Sequence, residues 1–329
     1  MNRTTKVVLA FVLIAGAGVA LRPRIELLLA SRARSAYFER GKAYAPRVLE
    51  AIAPLPPELR EASGLAVSRT QPGVLWAHND SGDQPRLFAF RRDGVAVLPN
   101  RVTDPARYRG ITIDNARNYD WEDITIDPEG RLYIGDIGNN DSARRNLAIY
   151  VVDEPDPVAG TAVRATRASF VYPDQKQFPP PLPQRTFDAE ALFWADGKLH
   201  LLTKRLGDRR TALYRFETLT AGGPNVPTLV EAFDAGILVT GASATPDGRR
   251  LAVLGYTPSL LGLVDVVYVF ERPNASGPWF SGSVRQRRFS GAQLAEGICW
   301  VGNALLVTNE GGQIFELSID DFTAVGANR

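Results

Sequence analysis

Cysteine, histidine and methionine are scarce in this chain of 329 residues, which contains one Cys, two His and one Met. A single Cys excludes a disulfide scaffold, and so few sulfur and imidazole ligands exclude an iron–sulfur cluster, a c-type haem and a zinc site with several Cys or His ligands. We therefore expect any metal ion to be held by oxygen atoms. The composition, 45% hydrophobic and 22% charged, is that of a globular protein rather than a disordered one.

Positive charge is concentrated in the first 60 residues. They contain ten Lys and Arg against four Glu, whereas residues 61–329 contain 28 basic and 32 acidic side chains. A mildly acidic body has no general attraction for nucleic acid, so we expect no nucleic-acid partner.

The N-terminus has the layout of an export signal. Arg3 and Lys6 precede an uncharged run over residues 7–21, and two arginines follow it. Residues 1–24 are interpreted as a cleaved signal peptide or a membrane anchor, and the run is shorter than the ~20 residues that span a bilayer. A buried helix of a cytoplasmic protein is the alternative. We expect a bacterial envelope protein that is periplasmic, extracellular or anchored outside the inner membrane, and that contacts the membrane only through this segment.

Residues 25–45 resemble an amphipathic helical neck or linker, and residues 46–329 are expected to form one domain. Within that domain a segment recurs five times with a mean spacing of about 58 residues. Each copy opens at the start of a predicted strand with three residues: Ser63-Gly64-Leu65, Glu122-Asp123-Ile124, Glu190-Ala191-Leu192, Thr240-Gly241-Ala242 and Glu296-Gly297-Ile298.

The remainder of each copy predicts further strands. A turn leads to a second strand, and a third strand carries an aromatic residue at Phe88, Tyr150, Tyr214, Tyr268 or Phe315. Outer strands are predicted at 169–172, 229–233 and 283–288. Four-stranded antiparallel blades in five copies predict an all-β, five-bladed β-propeller. We expect residues 47–52 to close the last blade, and residues 104–119 and 178–183 to be insertions between blades.

The innermost strand of each propeller blade lines a central channel, so equivalent residues at its start should form a ring. That ring consists of Ser63, Glu122, Glu190, Thr240 and Glu296. Converging carboxylates repel one another unless a cation neutralises them. Three carboxylates, two hydroxyls and water suit Ca²⁺, which accepts six to eight oxygen ligands in flexible geometry. Alternatively, these glutamates cap strands or pair with arginine.

The ring, together with LWAHNDSG at 75–82, the stretch 120–138, the Lys204 loop and AEGICW at 295–300, resembles the five-bladed, calcium-dependent apyrases, also called calcium-activated nucleotidases. The resemblance covers most of residues 61–317 and implies a central calcium held by the five ring residues. The same motifs are similar to those of secreted bacterial propellers. One departure is that Asn79-Asp80 stands where the family has paired acids.

Loops that join the second and third strands are expected on the face of the ring. Asp80 is the first candidate for the catalytic base and Asp136 the alternate. Lys204, Arg144, Asn139 and Glu310 are candidates for binding a substrate. A metal and cations that neutralise phosphoryl oxygens, with a carboxylate that activates water, would suit hydrolysis of phosphate esters or anhydrides.

Two other classes of function remain open from the sequence. One is a lactonase or esterase, in which His78 would take part in catalysis. The other is a non-catalytic envelope propeller that uses calcium for rigidity. The expected partner is accordingly a small anionic substrate or a protein or glycan ligand, and we expect a monomer.

Overall fold

The computed structural model describes residues 46–325 except 161, 260, 261, 275 and 276. The predicted signal or anchor at 1–24 and the predicted neck at 25–45 lie outside the described residues. Within the described range the helices are short 3₁₀ turns, such as Pro105–Arg107, and none has the length and apolar character needed to cross a membrane.

The described residues are organised almost entirely as β-strands. In chain order they are β1 (Arg47–Val48), β2 (Ala53–Pro54), β3 (Ala62–Val67), β4 (Leu75–Asn79), β5 (Arg86–Phe90), β6 (Ile111–Thr112), β7 (Trp121–Ile126), β8 (Arg131–Asp136), β9 (Ala148–Asp153), β10 (Thr166–Ser169), β11 (Asp188–Ala195), β12 (Lys198–Lys204), β13 (Thr211–Phe216), β14 (Thr228–Phe233), β15 (Leu238–Ala244), β16 (Arg250–Ser259), β17 (Gly262–Glu271), β18 (Ser283–Ser290), β19 (Ala295–Val301), β20 (Ala304–Asn309), β21 (Gln313–Ser318) and β22 (Thr323–Ala324).

These strands form five sheets, which confirms the predicted five-bladed propeller. From the inside outwards, blade 1 is β3–β4–β5–β6, blade 2 is β7–β8–β9–β10 and blade 3 is β11–β12–β13–β14. Blade 4 is β15–β16–β17–β18, and blade 5 is β19–β20–β21–β2. The innermost strands β3, β7, β11, β15 and β19 each contact the innermost strands of both adjacent blades, which closes the ring.

Both ends of the described chain secure the closure. β2 pairs antiparallel with β21, so an N-terminal strand does complete blade 5. The prediction for residues 47–52 was wrong in detail, because the pairing residues are Ala53 and Pro54. β1 instead lies parallel to β18, and β22 pairs with the same strand. The edge of blade 4 is therefore covered by both termini of the domain, which protects it from pairing with other chains.

One predicted insertion is partly a blade strand. Residues 104–119 contain β6, whose Ile111 and Thr112 pair with β5 and complete blade 1. A strand of two residues has no alternating pattern by which it can be recognised in a sequence. Residues 178–183 do lie between blades 2 and 3, as predicted. The outer strand of blade 2 begins at Thr166, a few residues before the predicted 169–172.

The core consists of five apolar clusters, one at each interface between adjacent blades. Each cluster contains one of the recurring aromatics of the third strand. Both faces of the second strands are covered, so β4, β8 and β20 are nearly continuous runs of buried residues. The recurring aromatic thus reflects a packing position that every blade interface needs to fill.

Candidate functional site

A β-bulge at the start of the innermost strands places the predicted ring residues. In blades 2 to 5 the residue left out of the pairing register is Glu122, Glu190, Thr240 or Glu296. In blade 1 the irregularity follows Ser63 directly. A bulge leaves one residue unpaired and redirects its side chain. All five residues are buried at the same end of the channel.

The two hydroxyls of the ring connect neighbouring blades. Ser63 donates its hydroxyl hydrogen to the carbonyl oxygen of Glu122 in blade 2. Thr240 donates to the carbonyl oxygen of Ala295 in blade 5 over 2.7 Å. Both hydroxyl hydrogens therefore bind backbone.

Glu190 is paired with a lysine. The Nζ atom of Lys204 lies 2.5 Å from Oε1 of Glu190, and both groups are largely buried. Burial raises the pKa of Glu190 to about 8, an effect that the Lys204 charge opposes. The lysine lies at the end of β12, one strand outwards from Glu190. The alternative expectation was that the ring glutamates pair with arginine. Glu190 does pair with a cationic side chain, but the partner is a lysine.

Glu296 lies next to Glu310, and its carboxyl oxygen Oε2 has no hydrogen-bond partner among the described residues. Burial raises the pKa of Glu296 well above its ordinary value, and the charge of Glu190 raises it further. Glu310, a candidate for substrate binding, is half-buried beside this glutamate.

The closest group of acids combines one predicted ligand with two other carboxylates. One carboxylate oxygen each from Asp80, Asp120 and Glu122 lies within 4.8 Å of the others. Asp80 follows β4 of blade 1, whereas Asp120 precedes β7 of blade 2 and Glu122 is the second residue of that strand. We call these three residues the acidic triad. The structure thus places Asp80, predicted as a base, next to one predicted calcium ligand.

Burial perturbs all three carboxyl groups of the triad. It raises the pKa of Asp80 to about 6 and the pKa of Asp120 to about 6. The pKa of Glu122 is raised well above its ordinary value, again by burial first and then by repulsion from nearby carboxylates. A divalent cation would relieve both effects, since it favours the ionised form of each acid.

Gly138 makes room for the triad. A Cβ atom at this position would lie 2.1 Å from Oε1 of Glu122 and 2.4 Å from Oδ2 of Asp120. Its backbone N–H and that of Ile137 donate to the carbonyl oxygen of Asp120 over 3.1 Å. Only glycine fits here without displacing the carboxylates.

Beneath the triad lie three predicted site residues, Asp136, Arg144 and Asn139. Their side chains bind other groups of the protein and do not form an open surface. Asp136 is fully buried, and its Oδ1 accepts from Nη2 of Arg144 at 2.6 Å and from the backbone N–H of Asp120 at 3.2 Å. The side chain of Asn139 binds the backbone of Phe187 and of Arg144. These contacts place Asp136 and Asn139 out of reach of a substrate. Arg144 Nη1 lies 4.0 Å from Oδ2 of Asp120.

The sequence interpretation assigned no role to Asp120, Asp188 or Gly138. A signal for the two acids was present, because an acid stands two residues before the ring position in three blades. These acids are Glu61, Asp120 and Asp188. Asp188 is buried, accepts the backbone N–H of Asn139 at 2.6 Å and adds negative charge near Lys204.

His78 lies inside the blade packing. It is fully buried, its ring meets Trp121 edge-on at 5.4 Å, and Nδ1 lies 3.0 Å from the carbonyl oxygen of Asn79. Burial lowers its pKa to about 4, so the imidazole is neutral at pH 7. A catalytic role for His78 would require substrate to enter the core.

A cavity of about 410 Å³ lies between blades 2 and 3, away from the triad. Its lining includes Arg131 and Lys198, at the starts of their strands, and Asp153, at the end of β9. These positions are at the opposite ends of the blades from the ring. The cavity and the acidic triad are therefore separate features.

No family model and no curated protein matches the chain. Among solved structures it is similar to the β-propeller domain of Myceliophteria thermophila Cps50 (Swd1), with 12% identity, a TM-score of 0.40, and coverage of 84% of this chain and 100% of that one. Kuenenia stuttgartiensis hydrazine synthase gives 14% identity, a TM-score of 0.38, and coverage of 79% of this chain and 65% of that one.

A chain of the mitotic checkpoint complex gives 11% identity and a TM-score of 0.37, with 78% of this chain and 63% of that one covered. The chain spans less than two thirds of the length of the hydrazine synthase and checkpoint chains. At these levels of identity and TM-score the comparisons carry no argument about activity. The five sheets themselves establish the fold.

Proposed function

We propose that the protein is an exported, calcium-dependent hydrolase of phosphate esters or anhydrides, and that its cation binds at the acidic triad. The observation that carries the proposal is the convergence of Asp80, Asp120 and Glu122 from two blades onto one point within 4.8 Å. Two of the three side chains are partly open to solvent, so a small ligand can reach them.

Calcium fits the donors better than other common metals. All the candidate ligands are oxygen atoms, which excludes a preference for soft metals. The carboxylates come from a turn and a bulged strand, which suits the flexible coordination of Ca²⁺ more than the strict octahedron of Mg²⁺. Of the five predicted ligands, Glu122 keeps this role in the proposal, whereas Glu190 is engaged by Lys204.

The chemistry follows from charges on the same face. A bound calcium ion would supply positive charge for the oxygens of a phosphoryl group. Lys204 lies close enough to Asp80 and Asp120 to oppose the rise of their pKa values, and Arg144 lies 4.0 Å from Asp120. Each cation also pairs with an acid outside the triad, and each would contribute positive charge towards a bound phosphoryl group. Asp80 is partly exposed on the turn after β4, and it would accept the proton of the attacking water.

The titration of the triad predicts how stability depends on pH. The pKa values of Asp80 and Asp120 in the folded protein, both about 6, lie above their ordinary value of 3.8. Folding is therefore favoured by these groups at low pH, and this contribution is lost as pH rises through 6. In chelator, we expect a melting temperature about 3 °C or more higher at pH 5 than at pH 7.5.

Calcium should reverse this order, since it binds the ionised carboxylates and stabilises the folded protein more at pH 7.5. Differential scanning fluorimetry with chelator or calcium tests both statements. The variant Asp80→Asn/Asp120→Asn should lose the share of the pH dependence that these two groups supply, whereas Glu190, with its pKa raised to about 8, and Asp265, with its pKa raised to about 6, keep theirs. An unchanged pH dependence in that variant would show that the triad is not its source.

Release of phosphate tests the catalytic part of the proposal. With Ca²⁺, purified protein should release phosphate from members of a panel of nucleoside diphosphates, sugar phosphates and phosphomonoesters, and chelator should abolish the release. Asp80→Asn should lower turnover by about 10²- to 10⁴-fold, as expected for loss of a general base. Asp93→Asn, on an exposed turn of the same blade, is the matched control.

A non-catalytic calcium propeller is the second candidate, and a specific observation favours it. Asp136, Asn139 and Arg144, three of the residues predicted to act on substrate, are engaged by contacts within the protein. The same panel separates the two candidates. Calcium binding with no turnover on any phosphate compound would support the structural role and overturn the hydrolase.

A further inference from the structure

Asp123 places a buried carboxylate on the axis of the propeller. The residue follows Glu122 in β7 and is 1% exposed. Its Oδ1 accepts the backbone N–H of Ile124 at 2.8 Å, and its Oδ2 accepts the backbone N–H of Leu192 at 2.7 Å. The backbone N–H groups of Leu65 and Ala242 face the same carboxylate and favour its charged form, against the burial that raises its pKa. One side chain thus binds the innermost strands of blades 2 and 3 and is faced by N–H groups of blades 1 and 4.

The four donors are equivalent by the repeat. Leu65, Ile124, Leu192 and Ala242 each lie two residues after a ring position. The innermost strands of blades 1 to 4 therefore direct the same N–H group towards Asp123, just after the bulge that places the ring residue. Several N–H groups that point at one spot form a binding site for an anion.

The residue equivalent to Asp123 is small in every other blade. These residues are Gly64, Ala191, Gly241 and Gly297. A Cβ atom at Gly64 would lie 2.6 Å from the backbone nitrogen of Ile124 and 2.9 Å from Cα of Asp123. At Gly241 it would lie 2.4 Å from the carbonyl oxygen of Glu296. Space at the axis admits one acidic side chain, and Asp123 provides it.

We propose that Asp123 is the positioning residue of the axial site: its carboxylate fills an anion-binding hole made by backbone N–H groups of four blades. Because each donor lies two residues from a ring position, the carboxylate fixes the relative positions of Glu122 and its neighbours in the ring. The proposal of an anion hole does not depend on any metal, whereas the proposed positioning role rests on the proposed calcium site.

Removal of the carboxylate and its replacement by a free anion test this inference. Asp123→Gly should lower the melting temperature, and formate should restore much of the loss, because it can bind the same N–H groups. Pivalate at equal ionic strength is too bulky and should not. The matched control is Asp127→Gly. Asp127 is also fully buried in blade 2 and binds Arg131 and Tyr133, but its contacts are within its own blade.

Calcium titrations of the same proteins test the positioning role. Asp123→Gly should bind Ca²⁺ about 10- to 100-fold more weakly than wild type, the usual effect of losing an outer-shell partner. Formate should restore part of that affinity, whereas Asp127→Gly should bind Ca²⁺ as wild type does. If wild type binds no calcium, the proposed function fails while the effect of formate on melting still tests the hole.

Equal responses of Asp123→Gly and Asp127→Gly to formate, or wild-type stability in Asp123→Gly, would overturn the anion hole. Wild-type calcium affinity in Asp123→Gly would overturn the positioning role. If the glycine variant does not fold even in formate, Asp123→Asn replaces it. Its amide has one acceptor oxygen where the carboxylate has two, so it cannot accept from Ile124 and Leu192 in the same way. Calcium affinity should therefore fall at least about tenfold, and wild-type affinity there would also contradict the inference.

Discussion

Glu122→Gln is expected to lower calcium affinity by about a hundredfold, because it removes one of three charges that face the proposed cation. Glu122 is the most buried member of the acidic triad, so water cannot readily replace its carboxylate. Isothermal titration calorimetry at pH 7.5 measures the change. Glu129→Gln, at the exposed opposite end of blade 2, is the control and should bind calcium as wild type does.

Glu190→Gln distinguishes the triad from the ring predicted by the sequence. If the five ring residues held calcium together, Glu122→Gln and Glu190→Gln would weaken binding to a similar extent. The geometry predicts a smaller effect for Glu190→Gln, because Oε1 of Glu190 already binds Nζ of Lys204 at 2.5 Å. Equal losses, or a larger loss for Glu190→Gln, would contradict the assignment of the cation to the triad.

Gly138→Ala is expected to weaken calcium binding by at least about tenfold without removing any ligand. The added methyl group would overlap Oε1 of Glu122 and Oδ2 of Asp120, so both carboxylates would have to move. Gly207→Ala is a matched control, since a Cβ there meets no heavy atom within 4 Å and its backbone does not adopt a positive φ.

Calcium titration and thermal melting of the two glycine variants should be measured together. Gly138→Ala should lose affinity and most of the stabilisation by calcium, whereas Gly207→Ala should retain both. Wild-type affinity in Gly138→Ala would mean that the cation does not depend on the observed positions of Glu122 and Asp120. That result would place any calcium site elsewhere.

The architecture was predictable because each blade repeats the same packing problem. Phe88, Tyr150, Tyr214, Tyr268 and Phe315 fill equivalent places in the five interface clusters, so the sequence shows the period directly. Short edge strands carry no such signal. β6 and β2 have two residues each, and their pairing depends on which sheet edge is open after the blades have formed.

The composition of the site was less predictable than its location. The ring positions could be read from the repeat, and the bulges do bring those residues to one end of the channel. Which charged groups then pair depends on side chains that extend towards the ring from neighbouring strands and turns. Lys204 extends from β12 to Glu190, and Asp80 from a turn of blade 1 approaches Glu122. Sequence spacing contains no information about such contacts between blades.

A crystal structure of the protein grown with calcium is the most direct test of the proposed site. Anomalous difference density should show one calcium ion within about 2.6 Å of carboxylate oxygens of Asp80, Asp120 and Glu122. The salt bridge of Lys204 with Glu190 should persist in the same crystals. A calcium ion centred on Glu190 and Glu296 with Lys204 displaced, or density that contains no cation at either place, would contradict the account.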